Sequence, residues 1–182
     1  MLNTRIVIIS GPCGTGKSSV AGMLAENSVY ERAVHVHTDD FYGYIRKGYI
    51  GPWLAESKDQ NTVVAETIAV CAASFAEGGY EVFIDGVIGP WYLEPWIKVA
   101  HTGINVYYIL LRPDLQTTLL RGVNRKGPYD LVDPVVIEKM WKEFADTGLY
   151  ESHVIDTTNH TVKESVKAIK DMLNENKLRI GI

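Results

Sequence analysis

The sequence predicts an α/β protein in which helices cover both faces of a parallel sheet. Apolar runs alternate with amphipathic stretches along the 182 residues, and the first run, residues 6–9, is apolar without a break. A strand that is apolar at every position is buried on both faces, as in a covered parallel sheet. The length suits one domain, and we see no linker and no repeated segment. We therefore expect a single domain spanning residues 1–182.

The predicted elements alternate between strand and helix. Five apolar segments are predicted as strands, at residues 5–10, 33–38, 80–85, 104–111 and 153–156. Helices are predicted at residues 17–27, 61–77, 96–101, 113–123 and 133–144, and a last one begins after a capping box formed by Thr161 and Glu164. The segment 39–60 is rich in glycine and aromatic residues and has no clear period, so it is predicted to be mostly loop.

Composition and charge exclude several classes of protein. Apolar residues make up 46% and charged residues 22%, as in ordinary globular domains. A net charge of −4 disfavours a broad basic face for nucleic acid. Two cysteines, Cys13 and Cys71, are too few for a disulfide framework. With neither a signal peptide nor an apolar run of about 20 residues, we expect a cytoplasmic protein with no membrane and no nucleic-acid partner.

A glycine-rich loop follows the first predicted strand. Residues 11–18, GPCGTGKS, fit the pattern G-x-x-x-x-G-K-[ST], between a buried strand and an amphipathic helix. Glycines let the backbone fold around phosphate oxygens, and N–H groups at the helix N-terminus attract negative charge. The alternative is a plain glycine-rich turn. The predicted nucleotide-binding residues are Gly11, Pro12, Cys13, Gly14, Thr15, Gly16, Lys17, Ser18 and Ser19, with Lys17 on the β- and γ-phosphates.

Carboxylates end two of the predicted strands. Asp39 and Asp40 end the second, and Asp85 ends the apolar third. In open α/β sheets, ligands bind beyond the carboxyl ends of the strands. Asp85 is expected to hold a metal ion together with the Ser18 hydroxyl. We favour Asp39 over Asp40 as the general base for an acceptor hydroxyl. The alternatives are a helix N-cap or a solvated loop for the pair, and a turn residue for Asp85.

Basic residues follow the fourth predicted strand and its helix. Arg121 and Arg125 are four apart, and Lys126 comes next, in a predicted lid at about residues 121–134. Arginines placed at the equatorial oxygens stabilise phosphoryl transfer, so both are catalytic candidates, as is Lys17. Arg121 is also predicted to bind the nucleotide. A closing lid would also exclude water. The alternative is a solvated helix end favoured by the helix dipole.

The segment 39–60 is expected to line an acceptor pocket. The predicted substrate residues are Asp39, Asp40, Tyr42, Arg46, Trp53 and Asp85, with Trp91 and Tyr92 on the opposite wall. Aromatic side chains with few charges suit a planar or sugar-like acceptor, and Arg46 or Lys47 suits an acidic group. The alternative is that these aromatics fill a small second core. The five histidines are scattered, and we assign none of them a role.

Together these motifs resemble the P-loop kinase superfamily over nearly the whole chain. The phosphate loop, the acidic end of the second strand, Asp85-Gly86 and the two arginines match in order and spacing. The chain is most similar to the chloramphenicol phosphotransferase, gluconate kinase and shikimate kinase group. The resemblance implies a three-layer fold with strand order 2-3-1-4-5, ATP as donor with Mg²⁺, and Asp39 as base. It also implies an adenine pocket near residues 156–159.

Three functions stay open at this stage. The first is an ATP-dependent phosphotransferase that acts on a hydroxyl of a small molecule. The second is a nucleoside or nucleoside monophosphate kinase, although residues 87–90, VIGP, stand where adenylate kinase has Gly-Phe-Pro-Arg. The third is a nucleotide-binding regulatory protein, although the chain lacks the guanine motif Asn-Lys-x-Asp. The choice of ATP or GTP and of monomer or homodimer also stays open.

Overall fold

A computed structural model of the protein describes residues 4–125 and 131–181. The strands are β1 (Arg5–Ser10), β2 (Ala33–His37), β3 (Glu81–Asp85), β4 (Asn105–Leu111), β5 (Val154–Ile155) and β6 (Arg179–Ile180). The first five are parallel and lie in the order β2-β3-β1-β4-β5, which confirms the predicted order 2-3-1-4-5. A sixth strand, β6, was not predicted and pairs antiparallel with β4.

Helices cover both faces of this sheet. They are α1 (Lys17–Glu26), α2 (Thr38–Gly43), α3 (Lys58–Glu77), α4 (Glu94–His101), α5 (Leu115–Val123), α6 (Pro134–Glu143) and α7 (Val162–Asn174). Short 3₁₀ turns lie at Ala55–Ser57, Pro90–Tyr92 and Gly148–His153. Of the helices in the described ranges, none has both the length and the apolar character needed to cross a membrane.

The central strand β1 separates two apolar cores. Ile6 and Ile8 pack on one side with residues of α3 and α4. Val7 and Ile9 pack on the other side with residues of α1 and α7. Alternate residues of a strand point to opposite faces, so an unbroken apolar run is what a strand between two cores requires. The prediction from residues 6–9 is therefore confirmed.

The segment 39–60 is more ordered than predicted. β2 ends at His37, and Asp39 and Asp40 lie in the first turn of α2 rather than in an extended strand end or loop. Carboxylates are favourable at a helix N-terminus because of the helix dipole. The next helix, α3, begins at Lys58, three residues earlier than predicted. A six-residue helix is too short for its period to be read from the sequence.

Candidate active site

The glycine-rich loop connects β1 to α1, as predicted. A Cβ at Gly11 would lie 2.2 Å from Leu111 O, and φ there is +136°, so only glycine fits the close approach to β4. Lys17 Nζ donates to Pro12 O at 2.6 Å, across the loop. Burial lowers the pKa of Lys17, and the negative charge of Asp85 opposes that shift. The lysine therefore lies inside the curve of the loop.

The predicted nucleotide-binding residues lie together but differ in exposure. Ser18 and Ser19 are exposed in the first turn of α1. The buried members of the loop are Gly11, Pro12, Cys13, Thr15 and Lys17, whereas Gly14 is half-buried and Gly16 is exposed. The loop thus opens to solvent at the start of α1, where free N–H groups are concentrated.

Asp85 is fully buried at the end of β3 and is surrounded by hydrogen-bond donors. Ser18 Oγ donates to Asp85 Oδ2 at 2.5 Å. His35 Nε2 lies 2.5 Å from Oδ1, and His37 Nδ1 lies 3.0 Å from Oδ2. Burial alone would raise the pKa of Asp85, but the hydrogen bonds from His35, His37 and Ser18 outweigh it and hold the pKa below its ordinary value. Asp85 is therefore kept as a carboxylate.

The two histidines were missed by sequence reasoning. They occupy alternate positions of β2, and His37 lies beside Asp85 in the β2–β3 register. Alternate residues of a strand share a face, which brings both rings to one carboxylate. The available signal was a His-x-His pair at the end of a strand next to one that ends in aspartate. The hydrogen bond to Asp85 raises the pKa of His37.

Ser18 and Asp85 provide oxygen donors of the kind that Mg²⁺ prefers. Their side-chain oxygens lie 2.5 Å apart at the mouth of the phosphate loop. Within residues 4–125 and 131–181, no group of three or more His, Cys, Asp or Glu side chains could hold a metal ion. Mg²⁺ is commonly bound through one or two carboxylates, water and substrate phosphates, and this pair fits that manner of binding.

A cavity of about 1540 Å³ lies beside the loop. Its walls include residues from many parts of the chain: Cys13 of the loop, α2, the segment 44–58, α3, the turn after β3 and α6. The cavity is lined by five of the predicted acceptor residues, Asp39, Asp40, Tyr42, Arg46 and Trp53. Trp91 and Tyr92 line it as well. Asp85 is buried and is not among the described lining residues.

Asp39 and Asp40 differ in what they contact. His37 Nε2 lies 3.6 Å from Asp39 Oδ2, and the same ring contacts Asp85 through Nδ1. His37 therefore connects the buried carboxylate to Asp39, whose side chain is 67% exposed toward the cavity. Asp40 is also exposed and lines the cavity. The contact with His37 distinguishes Asp39 geometrically.

The two arginines lie apart. Arg125 lines the cavity, and its Nη1 donates to Cys13 Sγ at 3.0 Å. The Arg121 guanidinium donates instead to the carbonyls of Thr157 and Thr158, both at 3.3 Å, in the loop after β5. Because α5 ends at Val123, Arg125 does not continue the helical face of Arg121. Lys126 and the centre of the predicted lid, residues 126–130, lie outside the described residues.

Asn61, which the sequence reasoning also missed, organises one wall of the cavity. Tyr42 Oη donates to Asn61 Oδ1 at 3.1 Å. Asn61 Nδ2 lies 2.9 Å from Pro52 O, 2.9 Å from Ser57 Oγ and 3.3 Å from Tyr92 Oη. The sequence feature that could have indicated Asn61 is its position on the same face of α3 as the buried Val64 and Ile68. One buried amide thus positions two tyrosines.

The phosphate loop between β1 and α1 and the strand order 2-3-1-4-5 define a P-loop α/β fold. No protein-family model matches the chain, and no curated protein matches it either. A gluconokinase from Sinorhizobium meliloti is 20% identical, with a TM-score of 0.69 over 96% of this chain and 95% of that one. The tunicamycin resistance protein of Deinococcus radiodurans is 16% identical, with a TM-score of 0.69 over 93% and 95%.

A third solved structure is an APS kinase from Mycobacterium tuberculosis. It is 18% identical, with a TM-score of 0.61 over 94% of this chain and 98% of that one. At such identities the likeness establishes the fold. The fold is that of P-loop small-molecule kinases, as the sequence resemblance implied.

Proposed function

We propose that the protein is an ATP-dependent phosphotransferase that moves the γ-phosphate of Mg·ATP to a hydroxyl of a small molecule. The observation that carries this proposal is that one cavity is lined by Asp39, by Arg125 and by Cys13 of the phosphate loop. A base candidate, an arginine and the phosphate loop therefore border the space in which an acceptor would lie. The kinase folds of the neighbouring structures add support.

The phosphate loop would bind the donor. Its N–H groups and the Lys17 ammonium would hold the phosphates, and Ser18 and Asp85 would hold Mg²⁺. Bound Mg·ATP supplies the phosphoryl group, with its charge partly neutralised by the cation. Arg121 lies at the carbonyls of Thr157 and Thr158, beside the predicted adenine pocket, so we propose it as a nucleotide-binding residue.

Asp39 would act as the general base. Its carboxylate lines the cavity and is open to an acceptor hydroxyl, whose proton it would accept during attack. The contact with His37 would hold the carboxylate in place. Arg125, held at Cys13, would stabilise the charge that develops on the transferred group.

The runner-up acceptor is a nucleoside or nucleoside monophosphate, which needs the same chemistry. A nucleotide-binding regulatory protein with little turnover would not need the large aromatic cavity, so the cavity favours an enzyme. We propose a cytoplasmic site of action because the donor is ATP, with no nucleic acid or membrane as partner.

The direct test is release of ADP from Mg·ATP with a panel of acceptors. The panel holds sugars, sugar acids, neutral aromatic alcohols, nucleosides and nucleoside monophosphates. We expect one class to raise ADP release, and Lys17→Ala to abolish the increase. Lys163→Ala, at an exposed position of α7, is the matched control and should behave as wild type. Acceptor-dependent release that survives in Lys17→Ala contradicts the proposal.

A further inference from the structure

Two segments that contribute to the cavity lining contain the same tripeptide. Gly-Pro-Trp occurs at residues 51–53 and again at residues 89–91. In each copy the chain turns, and the N–H after the tryptophan donates to the glycine carbonyl at 2.9 Å. The copies come from opposite sides of α3 in the sequence, yet both tryptophans line one cavity. The two turns therefore place two indoles at the same site.

Each indole ring is folded over the glycine of its own turn. A Cβ at position 51 would lie 2.9 Å from Trp53 Cζ2, and a Cβ at position 89 would lie 2.2 Å from Trp91 Cζ2. Only glycine leaves room for the rings at these distances. Trp91 is also held by Phe144, with ring centroids 5.4 Å apart. Both rings are thus positioned by the backbone beneath them.

These positioned rings stay accessible. Trp53 is 41% and Trp91 is 53% exposed. Exposed aromatic surface at the rim of a cavity marks a binding site, because a ligand that covers it removes apolar area from water. A ring held in advance also loses little side-chain freedom when the ligand binds. Two such rings on one rim suit a ligand with a flat apolar part.

The buried part of the wall is neutral. Its polar side chains are Thr38, Ser57 and Asn61, and apolar residues such as Ile68 form the rest. Among the described lining residues, Arg46, Lys58 and Lys139 are exposed and Arg125 is half-buried against the phosphate loop. The half-buried His37 ring is already held by the carboxylates of Asp85 and Asp39. An anionic substituent placed deep in this cavity would lose its hydration without gaining a cation. The interior therefore selects for a neutral ligand.

We propose that Trp53 and Trp91 form an aromatic clamp, and that the acceptor is a neutral molecule that carries an aromatic or similarly flat apolar group as well as the hydroxyl. The proposal rests on the proposed function, because it names the acceptor class of the same site. The cavity volume of about 1540 Å³ leaves room for such a group beside the hydroxyl that reaches Asp39. A sugar acid would fill only part of it.

The test is calorimetric binding, without nucleotide, of three matched probes. 4-Nitrophenyl β-D-glucoside is neutral and aromatic, D-glucose lacks the ring, and 4-nitrophenyl β-D-glucuronide adds a carboxylate. We expect the glucoside to bind about tenfold or more tightly than either of the others. Trp53→Ala and Trp91→Ala should each weaken binding of the glucoside about tenfold, and Trp91→Phe should bind it more tightly than Trp91→Ala does.

Phe75→Ala is the control, because Phe75 is 36% exposed and lies outside the described cavity lining. It should bind the glucoside as wild type does. Equal or tighter binding of the glucuronide overturns the neutral class. The clamp is overturned if glucose binds as tightly as the glucoside, or if the glucoside shows no measurable binding. It is also overturned if both tryptophan variants bind the glucoside as tightly as wild type does. Binding without nucleotide does not depend on phosphoryl transfer, so these outcomes are separate from failure of the ADP-release test.

Discussion

The predicted nucleotide end of the site, at the phosphate loop, and the predicted acceptor cavity beside it are built in opposite ways. The phosphate loop is one run of eight residues, mostly buried, and it acts largely through backbone N–H groups. The predicted acceptor cavity is lined by side chains from many separate parts of the chain, and several of its aromatic residues are exposed. A bound phosphate demands one backbone shape, whereas an acceptor can be recognised by many sets of side chains.

The two candidate carboxylates show the same contrast. Asp85 is fully buried, contacts three side chains and is held in its charged form. Asp39 is exposed to the cavity, and His37 Nε2 lies 3.6 Å from its carboxylate. A group that holds a metal ion benefits from a fixed charge, and a group that accepts a proton must be reachable. His37 contacts both, so it is the junction of the two regions.

The largest effect is expected at that junction. Asp39→Asn removes the proposed base and should lower kcat by a factor of about 10² to 10⁴, with acceptor binding nearly unchanged. Asp40→Asn, its neighbour in α2, should lower kcat by less than about tenfold. The measurement is steady-state ADP release at saturating ATP and acceptor. A larger loss for Asp40→Asn would transfer the role of base to Asp40.

A change at the nucleotide end should affect all acceptors alike. Asp85→Asn removes the buried charge and should lower kcat by about 10² to 10³, by the same factor for each acceptor that turns over. It should also raise the Mg²⁺ concentration needed for half-maximal activity. Asp59→Asn, at an exposed position of α3, serves as the control. Losses that differ strongly between acceptors would place Asp85 in acceptor recognition instead.

The sequence predicted well those features that depend on neighbouring residues. The phosphate loop is contiguous, the alternation of apolar runs predicts the covered parallel sheet, and the strand order was implied by the resemblance. The short elements α2 and β6 were missed because six and two residues contain no readable period. The prediction of a loop over residues 39–60 was therefore wrong where the chain forms α2.

Contacts between residues far apart in the sequence could not be predicted from the sequence pattern. The histidine contacts of Asp85 join residues 48 and 50 apart, and they exist only because β2 and β3 pair in one register. Asn61 contacts Tyr92 across 31 residues. The cavity residues were predicted as a set, yet the hydrogen bonds that position them depend on the packed fold. The catalytic roles of the site residues stay predictions.

A change in the acceptor wall should affect binding more than chemistry. Asn61→Ala leaves the phenols of Tyr42 and Tyr92 without their amide partner. We expect the KM for the acceptor to rise about tenfold, kcat to change less than about threefold, and the free energy of unfolding to fall by about 1–3 kcal/mol. Steady-state kinetics and urea unfolding measure these effects. The neighbouring exposed Thr62→Ala should change neither, and an unchanged KM in Asn61→Ala would remove Asn61 from acceptor positioning.

The smallest effect concerns the pH dependence of stability at the junction. The hydrogen bond to Asp85 raises the pKa of His37 above 6.5, so the folded protein binds this proton more tightly than the unfolded chain does. The resulting stabilisation is fully present below about pH 6.5 and is lost as the pH rises through the higher folded pKa. The difference in unfolding free energy between wild type and His37→Gln should therefore shrink as the pH rises, by less than about 1 kcal/mol, because the ring is partly exposed.

Urea unfolding in EDTA, at a series of pH values from about 5.5 to about 8.5, measures this difference without bound metal. Thr62→Ala, at an exposed position of α3, is the control without a titratable group, and its difference from wild type should not change with pH. A difference that grows with pH would mean that the folded state favours the neutral ring. His37 would then position Asp39 by packing, and the carboxylates of the two regions would not be joined through a shared charge.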